Sequence, residues 1–383
     1  MSSSSRSHRA HVRRAISGVV AAASAALVLA GCGDSDPTGP NTPAEGPPEG
    51  RQVAPSGWLV YGAPIAWSDA TDEILAMGEV LAMPPTGNQA LHGIKANTGA
   101  YRVVDHEGTR LVVSESGTHV YFTWVDPSGG PHGTPEPQLV ERSLLSGARR
   151  VWSEGVRVVL SPDDSLLAYS TAPWGGMIDS LVVEPLAGGL PIAAVPGVMI
   201  PLAFSPDATQ LLIGNGSYAS PDHRVLTFAD GSLAPLSLGI PPGAIAFEPP
   251  FWDARGLLVF HVSGGIDSTI ATFRNVTTGI DTVLLRAAEG CLGLTVAWSR
   301  DGRYAALFTQ KVITVPDQQT PGREVSVWVL DTVVPGVRRI AYTWDAVAGR
   351  PLQDYAGTFS PDGTEFAWEA GRTLFLAPVD GER

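Results

Sequence analysis

Phe359-Ser360-Pro361-Asp362-Gly363 is the clearest copy of a motif that returns along the chain at intervals near 46 residues. The residue before the Ser position is apolar in every copy, and so is the residue six positions after it. Seven copies align on that position, at Ser68, Ser114, Ser161, Ser205, Trp252, Ser299 and Ser360. Coincidence at these fixed offsets indicates a chain built from one repeated structural unit.

The chemistry of the motif predicts a tight hairpin. Ser suits the first position of a type I turn, Pro fixes φ at the second, and Asp and Gly suit the third and fourth. The short apolar runs on either side are then antiparallel strands, and their near-continuous hydrophobicity predicts sheets that are covered on both faces. A second pair of strand-like runs follows each copy, around a further turn that contains Gly99, Gly147, Gly188, Gly231, Gly279, Gly336 or Gly381.

Four strands per repeat predict an all-β fold, a single β-propeller of four-stranded blades. Seven copies predict seven blades. A six-bladed ring with one degenerate repeat is the alternative, since the turn at Trp252 departs from the motif. Asp164 and Ala208 stand at the Gly position of their copies, which suggests altered turns there.

The chain ends predict how the ring closes. The last copy supplies only three strands before Arg383. Trp58-Leu59-Val60-Tyr61, just before the first copy, is predicted to add the missing outer strand and so remove an open sheet edge.

The N-terminus has the anatomy of a signal peptide. Residues 1–14 are rich in Ser and Arg, and an apolar stretch over residues 15–30 is too short to span a bilayer comfortably. That stretch ends in Leu29-Ala30-Gly31-Cys32, which resembles the lipobox of bacterial lipoproteins. The resemblance implies lipidation at Cys32 and cleavage just before it. An uncleaved anchor helix and an ordinary signal peptide are the alternatives.

Residues 33–55 are rich in Pro, Gly and acids and hold almost nothing apolar to bury, which is typical of a disordered tether. The predicted organisation is a signal peptide over residues 1–31, a tether over residues 32–55 and the propeller over residues 56–383. A tether of this kind predicts a membrane association through the lipid, on the periplasmic side of the cell envelope or at the outer membrane.

Charge argues against nucleic-acid partners. A chain processed at Cys32 keeps 21 Lys and Arg against 38 Asp and Glu, for a net charge of −17. Nucleic-acid binding relies on clustered basic side chains that neutralise phosphates. With Cys32 lipidated, Cys291 has no partner for a disulfide and is predicted to be a small buried residue.

The repeats resemble a known group of propellers. Ser161-Pro162-Asp163, Ser205-Pro206-Asp207, Ser299-Arg300-Asp301-Gly302 and Ser360-Pro361-Asp362-Gly363 are similar to the TolB-type, WD-like repeats of bacterial envelope proteins, over residues 58–383. The resemblance implies a propeller that commonly serves as an interaction platform. Similar repeats precede the hydrolase domain of prolyl-peptidase-like enzymes, but no catalytic domain is expected after Arg383, and the sequence has no Gly-x-Ser-x-Gly nucleophile elbow.

No catalytic, cofactor or metal site is predicted. The histidines that follow Cys32 lack the spacing of a compact metal site; they are His92, His106, His119, His132, His223 and His261. Asp163, Asp207, Asp301 and Asp362 are interpreted as turn residues that bond their own backbone. Trp124, Trp174 and Trp344 lie nearest the predicted loops and are the Trp candidates for exposure.

The function expected from the sequence is a monomeric, lipid-anchored envelope protein whose propeller is a non-catalytic platform for an envelope protein, a cell-wall component or another ligand. The two longest inter-strand insertions, Asp126–Pro137 and Val312–Arg323, are candidate binding loops. The alternative is an enzyme or sensor that acts on a small metabolite, sugar or lactone in the central channel. That alternative requires inward-facing acids or histidines at one channel mouth.

Overall fold

The computed structural model describes residues 51–53, 58–60, 65–80, 90–106, 109–125, 137–153, 155–171, 178–215, 222–241, 244–246, 249–263, 269–287, 291–313, 322–334, 336–345, 356–370 and 373–380. Their strands, in chain order, are β1 (Arg51–Gln52), β2 (Trp58–Val60), β3 (Ala66–Ser68), β4 (Glu73–Val80), β5 (Ala90–Lys95), β6 (Tyr101–Asp105), β7 (Thr109–Val113), β8 (His119–Val125), β9 (Pro137–Ser143), β10 (Arg149–Ser153), β11 (Gly155–Leu160), β12 (Leu166–Thr171), β13 (Ser180–Pro185), β14 (Ala193–Pro196), β15 (Ile200–Phe204), β16 (Gln210–Gly214), β17 (His223–Thr227), β18 (Leu233–Leu236), β19 (Ile245–Ala246), β20 (Phe251–Asp253), β21 (Gly256–Ser263), β22 (Thr269–Asn275), β23 (Ile280–Ala287), β24 (Cys291–Trp298), β25 (Tyr304–Ile313), β26 (Gly322–Asp331), β27 (Gly336–Asp345), β28 (Gly357–Phe359), β29 (Glu365–Ala370) and β30 (Thr373–Pro378).

These strands form seven antiparallel sheets, so the seven-bladed propeller is confirmed. Blade 1 holds β2–β6, blade 2 holds β7–β10, blade 3 holds β11–β14, blade 4 holds β15–β18, blade 5 holds β19–β23, blade 6 holds β24–β27, and blade 7 holds β28–β30 together with β1. Blades 1 and 5 have a broken innermost strand, because β2 and β3 both pair with β4, and β19 and β20 both pair with β21. Each blade therefore keeps four strand positions.

An N-terminal strand closes the ring, but it is not the one that the sequence predicted. Arg51 pairs with Leu376 and Gln52 with Phe375, so β1 is the outer strand of blade 7. Trp58–Val60 pairs instead with β4 in blade 1. The reason is length: β4 has eight residues, and the three residues of β3 cover only part of it. The ring thus takes in residues 51–53, which the sequence analysis placed in the tether.

The core lies between the blades. Each of seven clusters of buried apolar side chains joins two neighbouring blades, from blades 1 and 2 round to blades 7 and 1. The apolar position six residues after the Ser position is at most 1% exposed in all seven copies, namely Ile74, Val120, Leu167, Leu211, Leu258, Ala305 and Phe366. At about 25 cal/mol per Å² of apolar surface, burial on both faces of every blade is the main force that holds the ring together.

Strand direction divides the connections between two faces of the disc. In four antiparallel strands, the turn between the first and second strands and the turn between the third and fourth strands lie at the same end. We call the face that carries both sets of turns the turn face, and the opposite face the loop face. Because every copy of the motif is a first turn, all seven copies lie on the turn face.

Blade 6 is longer than the sequence suggested. The segment Val312–Arg323 was predicted to be an insertion between strands, yet Val312 pairs with Arg323 and Ile313 with Gly322. The extra residues of this copy lengthen strands, and β25, β26 and β27 have ten residues each. The hairpin of β25 and β26 therefore extends toward the loop face.

Candidate functional site

The Ser of the motif organises the turns. Its hydroxyl accepts a hydrogen bond from the backbone N–H five residues on, at 3.0 Å in blade 2, 2.8 Å in blade 3, 2.9 Å in blade 4, 2.8 Å in blade 6 and 2.9 Å in blade 7. The side chain is at most 6% exposed in each of these copies. A buried hydroxyl in this position satisfies a backbone N–H at the start of the second strand, which fixes where the hairpin begins.

The acids of the motif bond their own turns, as predicted. The Ser hydroxyl donates to the Asp two residues later at 2.6–2.7 Å in blades 3, 4, 6 and 7. The same carboxylate accepts the backbone N–H two residues further on, at 3.0–3.1 Å. The Ser hydroxyl bond is the largest cause of a lowered pKa at Asp163, Asp207 and Asp362. These carboxylates are structural.

The expectation of altered turns at Asp164 and Ala208 is wrong. Both residues have positive φ, 53° and 55°, close to the 65° and 71° of Gly302 and Gly363 in the same position. Their backbone N–H groups donate to Ser161 and Ser205 as in the glycine turns. The backbone of these turns keeps the conformation of the glycine turns, although a non-glycine residue in the left-handed region is strained.

One group of charged side chains lies at the centre of the turn face. Arg300, from the turn of blade 6, donates to Asp69 of blade 1 at 2.9 Å and to the carboxylate and the carbonyl of Glu115 in blade 2. Blade 7 lies between blades 6 and 1, so this arginine spans the channel opening. We call Arg300, Asp69, Glu115 and Asp164 the mouth cluster.

Asp164 completes the mouth cluster from blade 3. Its two carboxylate oxygens accept the backbone N–H groups of Glu115 and Ser116 at 2.7 and 2.8 Å. Burial lowers the pKa of Arg300 while the bonds to Glu115 and Asp69 raise it, and the net change is upward, so the guanidinium stays charged. The mouth of the channel on this face is thus crossed by the chain's own side chains, and Asp69, Glu115 and Asp164 are bonded by an arginine or by backbone N–H groups.

Another ion pair lies within blade 1, away from the mouth, and its arginine also bonds blade 2. Glu73, 5% exposed, accepts two bonds from Arg102, at 2.9 and 2.7 Å, and Arg102 also donates to the carbonyl of Leu144 at 3.1 Å. Burial raises the pKa of Glu73, the bonds from Arg102 lower it, and the net direction is downward. A Cβ at Gly93 would lie 2.7 Å from the Glu73 carboxylate, so the pair depends on a glycine beside it. Sequence reasoning missed this pair because nothing local marks it.

The described histidines are spread over several blades. His92, His223 and His261 are buried within blades 1, 4 and 5, His106 is exposed, and His132 lies outside the described residues. Burial lowers the pKa of His261, and no described residue bonds either of its ring nitrogens. Among the described side chains, no group of three His, Cys, Asp or Glu is arranged to hold a metal ion.

The remaining candidates from the sequence are only partly described. Trp124, a candidate for exposure, is half-buried against the core between blades 1 and 2, with the Arg149 guanidinium 5.2 Å from its ring centroid. Trp174, the side chains of Trp344 and Cys291, and residues 126–136 and 314–321 lie outside what the structure describes. The strands that those two segments join end on the loop face.

Cys32 and all of residues 1–50 also lie outside the described residues, so the lipidation site stays a prediction. Where the chain is described, it contains no helix with the length and apolar character needed to cross a membrane.

Comparison with solved structures shows the fold alone. The chain is similar to an oligogalacturonate lyase from Vibrio parahaemolyticus, with a TM-score of 0.58 and 13% identity over 86% of this chain and 93% of the other. It is also similar to an oligogalacturonate lyase in complex with manganese, with a TM-score of 0.60 and 14% identity over 88% and 95%. TolB from Acinetobacter baumannii is a more distant match, with a TM-score of 0.41 and 13% identity over 85% and 64%.

No protein-family model matches the sequence, and no curated protein does either. At such low identities, the likenesses show the fold and carry over no role to this chain. What these likenesses support is a seven-bladed β-propeller with structural similarity to oligogalacturonate lyases and to TolB-like proteins.

Proposed function

We propose that the chain is a lipid-anchored protein of the bacterial cell envelope whose propeller acts as a non-catalytic platform and presents its loop face to a protein or cell-wall partner. The observation that carries the choice of face is the mouth cluster. On the turn face, the channel opening is crossed by Arg300 and its bonds to Asp69 and Glu115. The charged groups of the mouth cluster are thus already bonded, Asp69 and Glu115 to Arg300 and Asp164 to backbone N–H groups.

The loop face has the features that a binding surface needs. The strands joined by residues 126–136 and by residues 314–321 end there. In blade 6, the ten-residue strands β25 and β26 extend toward this face. Long connections on a rigid scaffold are where binding residues concentrate. A closed ring, with seven apolar clusters between its blades, supplies the scaffold.

The test is site-specific cross-linking in intact cells. A photo-reactive residue is placed at Val198, 57% exposed in the connection between blades 3 and 4 on the loop face, and in a matched variant at Leu145, 66% exposed on the turn face. The expected result is one reproducible protein or cell-wall adduct from Val198 that is lost in a Cys32→Ala background, because unanchored protein leaves the partner's compartment.

The proposal fails if neither position yields a specific adduct, or if the adduct comes from Leu145 alone. In the first case, binding screens of residues 51–383 against sugars, metals and lactones would test whether the channel holds a small ligand instead. Specific binding of one of these, lost on substitution of channel-facing residues, would replace the platform by the enzyme or sensor.

A further inference from the structure

The path of β1 shows on which face the tether leaves the ring. β30 runs toward the turn face, because its last residue, Pro378, pairs with Glu365 just after the blade 7 turn. β1 is antiparallel to β30, and the Val53 N–H donates to Leu374 at 3.0 Å, farther from that face. The chain that precedes Arg51 therefore emerges on the turn face.

The distance to the lipid is short. Only 18 residues separate Cys32 from Arg51. A flexible chain of that length has a root-mean-square span of about 25 Å and an extended reach of roughly 60 Å. Blade strands of about six residues make the disc roughly 20 Å thick. A lipid on Cys32 is thus held nearer to the turn face than to the loop face.

Exposed apolar side chains collect on that same face. Of ten large apolar side chains that are exposed among the described residues, five lie in the turns between third and fourth strands and two begin the fourth strand just after such a turn. They are Tyr101 in blade 1, Leu145 in blade 2, Leu190 and Ile192 in blade 3, Ile280 in blade 5, and Val333 and Val334 in blade 6. Leu190 is the most exposed, at 86%. Single exposed apolar residues are ordinary, but their placement at the tips of one face, around most of the ring, is a pattern.

The first turns lie nearer the channel than these tips, and acids stand at both: Asp281 follows Ile280, and the Asp331 carboxylate accepts the backbone N–H groups of Val333 and Val334 at 2.9 Å. The acids of the first turns lie toward the channel and are bonded by their own turns or by Arg300, as the mouth cluster shows. The tips lie farther out, and arginines stand beside several of them: Arg102 follows Tyr101, Arg149 and Arg150 begin the strand after Leu145, and Arg303 pairs with Asp331 at 3.1 Å beside Val333. These arginines are paired with the chain's own acids, Arg102 with Glu73, Arg149 with Asp105 and Arg303 with Asp331, so it is the apolar tips that suit the interface between lipid headgroups and acyl chains.

We propose that the turn face lies against the lipid surface that carries the chain's own anchor, with Leu145, Leu190, Val333 and Val334 at the interface; this rests on the lipid anchor of the proposed function. A lipid surface is favoured over a protein as the occupant of the turn face, because the tether keeps the lipid on Cys32 within reach of that face whichever proteins the envelope contains. Membrane contact on one face leaves the loop face, about 20 Å away, free to meet a partner.

The experiment uses two positions that flank β14, the outer strand of blade 3, at its opposite ends. In a Cys291→Ala background, the lipidated protein carries an environment-sensitive fluorophore on Leu190→Cys or, as the matched control, on Val198→Cys, which is exposed on the loop face. Each is bound to vesicles of phosphatidylethanolamine and phosphatidylglycerol that contain a lipid-attached quencher. The prediction is at least twofold quenching with a blue shift at position 190, and neither change at position 198.

Flotation of the same vesicles separates the possible failures. If the protein floats but positions 190 and 198 respond equally, the face assignment is wrong while the anchor stands. If it does not float, the anchor fails and the face assignment fails with it. If position 190 is silent on pure lipid but shielded in native envelope vesicles, a membrane protein occupies the turn face and the lipid proposal is overturned.

Discussion

The turns of blades 3 and 4 have the same backbone conformation, but only the turn of blade 3 bonds a neighbouring blade through its side chain. In both, the Ser hydroxyl bonds an Asp at 2.6–2.7 Å, and a residue with positive φ stands where the motif has Gly. Asp164 uses its place in blade 3 to bond two backbone N–H groups of blade 2. Ala208 in blade 4 has no side-chain atoms with which to do so. The shape of a turn is therefore set by its own residues, whereas its link to a neighbour depends on one side chain.

The largest loss of stability is expected when the Ser hydroxyl, which is present in both turns, is removed. Ser161→Ala and Ser205→Ala should each lower the free energy of unfolding by about 2 kcal/mol, because each leaves a buried N–H without its acceptor and removes one of the donors to the Asp of the turn. Urea unfolding of the two variants checks this. If the losses in free energy of unfolding of the two variants differ by more than about 1 kcal/mol, the two turns are not locally equivalent.

The next largest loss of stability is expected at Asp164, the side chain that distinguishes the two turns. Asp164→Gly relieves the strain of a positive φ but removes both bonds to blade 2, and a net loss of about 1 kcal/mol is expected. Faster hydrogen exchange at the Glu115 and Ser116 amides should accompany it. An Asp164→Gly protein as stable as the parent, with unchanged exchange at those amides, would mean that the link between the blades contributes nothing.

Arg300→Met tests the wider network that Asp164 joins. Its ion pairs are 37–44% exposed, so a cost of about 1 kcal/mol or less is expected at low salt, and the cost should fade toward molar salt. Arg303→Met is the matched control, because Arg303 pairs with Asp331 inside blade 6. Only Arg300→Met should alter exchange in the turns of blades 1 and 2; equal changes from both variants would contradict a cross-channel role.

The smallest predicted change is a gain in stability. Ala208→Gly should raise the free energy of unfolding by about 0.5 kcal/mol, because Gly adopts φ near 55° without strain and Ala208 makes no side-chain link that could be lost. A thermal unfolding scan against the parent detects it as a small rise in Tm. A drop in Tm would show that the Ala methyl group packs more usefully than its place in the turn suggests.

The predictable part of the fold is the part that repeats. The Ser positions and the apolar positions six residues on follow from local chemistry, and the structure places all seven as expected. The closing strand could not be found in this way, because Arg51 and Gln52 carry no apolar pattern and stand beside a Pro- and Gly-rich stretch. Their pairing is backbone bonding to an open edge, which any two residues can supply.

The mouth cluster was beyond prediction for a related reason. Arg300 is 231 residues from Asp69 and 185 from Glu115, and only closure of the ring brings them together. The sequence marked Asp163, Asp207, Asp301 and Asp362 correctly as turn residues, but it did not mark the acids that meet at the channel: Asp69 and Glu115 stand at the Pro position of their copies and Asp164 at the Gly position. Local patterns predict turns, and only the closed ring reveals which turns touch.

The most direct test of the account is the mass of the N-terminal peptide of the mature protein, taken from the membrane fraction. A lipid-anchored propeller predicts a peptide that begins at Cys32 and carries acyl chains, and a Cys32→Ser protein that lacks them and leaves the membrane fraction. An unmodified Cys32, or cleavage at another residue, would contradict the anchor and with it the orientation proposed for the two faces.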